Sequence, residues 1–134
     1  MEQCPFCLII SNKIPSKKIY EDDYSCVFLD QAKDVNYHML AVPKKHVCNI
    51  LSCDSETLTH LMNAIQIVSN HCVACGFSGV NLLNASGQDA GQSISHLHIH
   101  LIPRKKNDDI NAWPNFNGSS VSLDEAYNLL KINK

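Results

Sequence analysis

The chain has 134 residues, of which 45% are hydrophobic and 18% charged, and a formal net charge of −2. That size and composition fit one soluble domain with an ordinary core, not a disordered chain. Near-neutral charge and short basic clusters, Lys44-Lys45 and Arg104-Lys105-Lys106, argue against a nucleic-acid partner.

In chain order, the opening residues Met1 to Cys7 carry no basic run, and the apolar stretch 6–10 is too short for a signal core or a membrane span. A cytoplasmic protein with no membrane partner is therefore expected. The seven cysteines are an odd count that suits reduced thiols and metal ligation better than a disulfide framework. A short helix is predicted over 6–13, ended by Ile14-Pro15, then strands over 17–21 and 25–30 around the turn Asp22-Asp23. Residues 37–43 read as a strand that Pro43 closes. Over 55–75 the period changes: Leu58, Leu61, Met62, Ile65 and Val68 recur at helical spacing, with Ser55 as N-cap and Gly76 as stop. A strand over 80–84, a turn-rich loop over 85–93, a long strand over 95–103, a polar stretch over 107–120 and a helix over 123–132 capped by Ser122 complete the chain. Strands joined by short turns around one long helix predict an α+β fold, an antiparallel sheet with helices on one face.

The chemistry concentrates in the run His96-Leu97-His98-Ile99-His100-Leu101-Ile102. Side chains alternate on a strand, so the three imidazoles share one face, roughly 7 Å apart, and Leu97, Ile99 and Leu101 share the other. Such a face suits either a three-histidine metal site with an open position or imidazole catalysis, one ring as nucleophile and another on a phosphate. The preceding loop contains Gly87, Gly91, Gln92 and Ser93, which allow free N–H groups and neutral donors to meet an anion. Separately, Cys4-Pro5-Phe6-Cys7 has the gap that lets two thiolates share one zinc. Cys72 and Cys75 form a rival pair, either packed at a helix end or joined with Cys4 and Cys7 in a four-thiolate site. Cys26, Cys48 and Cys53 read as ordinary small apolar residues.

Ala90-Gly91-Gln92-Ser93 followed by the alternating histidines resembles the signature of the histidine-triad (HIT) superfamily. Ile14-Pro15, Tyr20-Glu21-Asp22, Phe28-Leu29-Asp30 and the segment from His38 to His46 resemble the family pattern in order and spacing. The likeness covers about residues 4–105 and is nearest the Hint-like branch. It implies one HIT domain over 1–134, with 106–134 as a tail, and a five-stranded antiparallel sheet with one long helix and short terminal helices.

The resemblance also implies cleavage of the α-phosphate P–N or P–O bond of purine nucleoside phosphoramidates through a nucleotidyl-histidine. His98 is then the nucleophile, and His100 contacts the phosphate and helps the leaving group depart. Gln92 and Ser93 surround the phosphate, Asp30 binds the ribose and His38 supports the triad. Zinc-bearing relatives complete the Cys4 and Cys7 pair with the equivalents of His46 and His96, as a structural site. A homodimer built from the long helix and an edge strand is implied as well. Dinucleoside polyphosphate cleavage, a nucleotide-binding regulator and a catalytic zinc on His96, His98 and His100 are the alternatives. Ala85 departs from relatives with asparagine there, and Asn84 beside it reads as facing the wrong way to compensate. Trp113 falls where relatives' C-termini approach the leaving group.

Overall fold

The computed structural model describes residues 3–133. The elements run α1 (Pro5–Ile10), β1 (Lys18–Glu21), β2 (Ser25–Leu29), β3 (Met39–Pro43), α2 (Ser55–Ala74), β4 (Gly79–Leu83), β5 (Ile99–Arg104) and α3 (Leu123–Leu130), with a 3-10 turn at Gln88–Ala90. The strands form one antiparallel sheet in the order β1-β2-β3-β5-β4.

Alternation along the inner strands sorts side chains into two cores. Val27, Met39, Ala41, Ile99 and Leu101 face α2, which returns Leu61, Ile65, Val68 and Cys72. Cys26, Phe28, Leu40 and Val42 face the other way, onto Phe6 and Ile9 of α1. Each fully buried aliphatic or aromatic side chain contributes about 1.5–3 kcal/mol, so both faces of β2 and β3 anchor the sheet. The expectation of helices on one face is therefore corrected: α1 closes the second face, where its Phe6 ring meets His96 and His98.

Several boundaries differ from the sequence reading. The N-cap of α2 is Asp54, whose Oδ2 accepts from the Thr57 amide at 3.0 Å; Ser55 is the first helical residue. A carboxylate one residue upstream wins because it also takes the Thr57 hydroxyl. The long strand predicted from residue 95 begins only at Ile99, where β5 pairs with β3 as Ala41↔Ile99 and Leu40↔His100. Upstream of that point Pro43 of β3 has no N–H to give a ladder. The Leu97 amide instead donates to Val47 O at 2.8 Å. The tail helix stops at Leu130 and contributes no buried residue.

Candidate functional site: a histidine network beside a two-thiol, two-imidazole cluster

The run reaches its positions partly without strand pairing, yet its alternation survives. Leu97, Ile99 and Leu101 enter the α2 core, and His96, His98 and His100 stay off that face. His98 is buried, with Nδ1 2.7 Å from the His96 carbonyl oxygen. A carbonyl only accepts, so Nδ1 is the donor, and in the neutral tautomer the lone pair falls on Nε2. The Phe6 ring meets His98 edge-on at 5.1 Å and restricts its rotation. Asn84 Nδ2 donates to the His98 carbonyl at 2.9 Å, held in turn by the Ser86 hydroxyl on its Oδ1. Asn84 lies just past the end of β4, so strand alternation does not bind it, which corrects the expectation that it faces away. The amide beside the run is thus supplied by Asn84 next to Ala85.

His100 sits beside His98, ring centroids 5.3 Å apart. Its Nδ1 lies 2.8 Å from His38 Nε2, and His38 Nδ1 lies 2.8 Å from Asp34 Oδ1. The carboxylate end fixes the chain of protons: His38 donates to Asp34, and His100 donates to His38. Burial pushes His100 below the ordinary imidazole range, helped by neighbouring His38 and His98 and opposed by Asp30 and Asp34. The hydrogen bond from His38 holds the Asp34 carboxyl below its usual range. Asp34 escaped the sequence reading, although its i−4 spacing to His38 was available as a signal.

Asp30 stands at the end of β2, with Oδ2 3.5 Å from His38 Nδ1 and Oδ1 accepting from the Ala32 amide. It borders two cavities. One of about 580 Å³ continues over Lys17, Lys33 and Tyr37. The other, about 160 Å³, is walled by Phe6, Ile9, Phe28 and Leu40. Gln92 is not a free donor: its Oε1 accepts from Asn49 and Gly87, and its Nε2 donates to the Cys48 and Ile94 carbonyls. It ties the loop together, with Gly91 in the left-handed region (φ 90°) closing the turn. Ser93 is exposed on the way into the run.

His96 belongs to a different constellation. Its Nε2 is 2.9 Å from the Pro43 carbonyl, so Nε2 is protonated and Nδ1 bears the lone pair. That Nδ1 lies 3.4 Å from Cys4 Sγ, 3.6 Å from Cys7 Sγ and 3.1 Å from His46 Nδ1, with Cys7 Sγ 3.2 Å from His46 Nδ1. Tetrahedral zinc places sulfur and nitrogen ligands roughly 3.3–3.8 Å apart, so this group fits the ion with small adjustment. Burial pushes the Cys7 thiol up, and neighbouring Cys4 adds to it. A divalent cation offsets both by favouring the thiolate.

The rival arrangements fail on topology. Cys72, on α2, packs onto the opposite side of the sheet from Cys4. A four-thiolate site would have to pass through the sheet. A zinc shared by His96, His98 and His100 is not formed either, because His96 turns its lone pair to the thiols. Cys26 is buried as expected, whereas Cys48 is exposed and Cys53 half-buried.

The HIT domain profile matches residues 11–107. The chain belongs to the HIT family. Its relatives include "Protein hit" of Bacillus subtilis, 38% identical over 77% of this chain and 72% of that one. Adenosine 5'-monophosphoramidase HNT1 of Saccharomyces cerevisiae is 36% identical over 83% of this chain and 70% of its own. Among solved structures, SMU.412c of Streptococcus mutans superposes with TM-score 0.84 and 32% identity, covering 96% of this chain and 82% of that one. A Zn-bound histidine triad family protein of Mycobacterium smegmatis gives TM-score 0.77 and 27% identity over 85% and 84%. The five-stranded antiparallel sheet with one long helix is thus the HIT fold. The two thiols, at Cys4 and Cys7, precede the matched segment, and the fold brings them to His46 and His96 inside it.

Proposed function

We propose that this HIT protein hydrolyses purine nucleoside phosphoramidates and related nucleotide conjugates at the α-phosphate, through a nucleotidyl intermediate on His98. The carrying observation is the hydrogen bond of His98 Nδ1 to the His96 carbonyl, which in the neutral ring places the proton on Nδ1 and the lone pair on Nε2 without help from a metal. Nε2 attacks phosphorus, the bond to the leaving nitrogen or oxygen breaks, and that atom departs with the electron pair and takes up a proton. Water then attacks the same phosphorus, releasing the nucleoside monophosphate and restoring neutral His98. His100, oriented by His38 and Asp34, contacts the phosphate and assists departure. Ser93 joins it there, while Gln92 shapes the loop that presents Ser93 to the phosphate. Asp30 takes the ribose hydroxyls, with the purine against Phe6, Ile9 and Phe28. The activity in the yeast relative's name supports this substrate class.

Cys4, Cys7, His46 and His96 hold a structural zinc in the same proposal, a closed set with no ligand position left for substrate. The whole chain acts as one domain in the cytoplasm, and the exposed apolar residues Met62, Ile67 and Val73 of α2, with the edge strand β4, form a homodimer. Sedimentation at twice the 14.9 kDa chain mass checks the dimer, and a mass of one chain refutes it.

The chemical step is tested by quenching a single turnover with adenosine phosphoramidate. A nucleotidyl adduct on His98 is expected, with turnover falling at least about a thousandfold in His98→Ala. Undiminished turnover in that variant overturns the proposal.

A further inference from the structure

Asp30, His38 and His100 form a second group able to meet a cation, separate from the two-thiol cluster. One ligand atom from each lies within 4.8 Å of the others. The protons show how a cation enters. His38 Nδ1 donates to Asp34, so Nε2 offers a lone pair, and only the Nδ1 proton of His100 stands between the two rings. A carboxylate holding the far nitrogen of a ligating histidine is the usual outer support of a metal-bound imidazole. Two imidazoles and a carboxylate suit a borderline cation such as zinc better than magnesium or calcium.

We propose that Asp30, His38 and His100 form a second zinc site, and that its occupation excludes nucleotide. The exclusion rests on the assignment of Asp30 to the ribose, because the same carboxylate cannot serve both. When the cation binds, the Nδ1 proton of His100 moves to Nε2, and His38 keeps its own. No net proton leaves these side chains, and any proton released comes from the water that completes the coordination. The paired nitrogens, now 2.8 Å apart, separate to roughly 3.3 Å to take a tetrahedral ion. Zinc entering the two-thiol cluster, by contrast, displaces thiol protons. Proton release thus distinguishes the two sites.

The test is a calorimetric titration of the full chain, its two-thiol cluster already loaded and excess metal removed, with ZnCl₂ at pH 7.5 in buffers of different ionisation enthalpy. One further equivalent is expected, releasing at most about one proton, that of the zinc-bound water. Affinity for it should fall at least about tenfold in both Asp30→Asn and His38→Gln, stay constant in the exposed control Asp23→Asn, and fall when AMP saturates the protein. Absence of a second equivalent, or one indifferent to both substitutions, overturns the site. If both substitutions weaken it while AMP leaves it bound, the metal site stands and the ribose assignment of Asp30 falls.

Discussion

His98 and His100 carry the same ring two positions apart, yet different acceptors hold their protons. A backbone carbonyl takes the Nδ1 proton of His98, and the His38–Asp34 pair fixes that of His100. Backbone is always present at His98, so no side-chain substitution removes its acceptor. His100 depends on two side chains and is the weaker point. His38→Gln should lower kcat about 10–100-fold with a small change in KM, and Asp34→Asn should act in the same direction by less. Steady-state kinetics check both; a KM effect alone would assign His38 to binding instead of orientation.

The elements hold these rings still. The long helix is set by Asp54, which caps its first turn and also pairs with Lys45 at 3.0 Å. Backbone and hydroxyl hydrogen bonds from Thr57 pull the Asp54 carboxyl far below its ordinary value. A depressed folded pKa means that the stabilisation is complete above the unfolded value and is lost as pH falls through it toward the folded one. Asp54→Ala should therefore melt below wild type at pH 7, with the gap closing below about pH 4. A gap of constant size down to pH 2, followed by circular dichroism, would contradict the capping role. Helical spacing reveals α2 in the sequence, but the cap is Asp54, one residue before the Ser55 that the pattern suggests. Two adjacent polar residues, Asp54 and Ser55, both qualify, and only the Thr57 hydroxyl decides between them.

For the whole molecule, the two-thiol cluster joins α1 to the β3 end and to the histidine run. The proposal gives about one zinc per chain when the cluster is full. Cys4→Ser and His46→Ala should each lose the metal and lower the melting temperature, whereas Cys72→Ser should retain it. Elemental analysis of purified variants decides this: metal lost in Cys72→Ser but kept in His46→Ala would overturn the ligand set.

The sequence by itself determined what local spacing controls. Period-two alternation set apart the histidines from Leu97, Ile99 and Leu101, and helical spacing located α2. A two-residue gap paired Cys4 with Cys7, and motif resemblance named His46 and His96 as their partners. Tertiary structure alone decided where the protons sit, because hydrogen-bond acceptors such as the His96 and Pro43 carbonyls are common to every residue type and leave no mark in sequence. It also decided that β5 starts at Ile99, since strand pairing depends on what the neighbouring strand can donate. The histidine run that reads as one uniform strand is, in the folded chain, divided between a thiol cluster at His96 and a proton-ordered pair at His98 and His100.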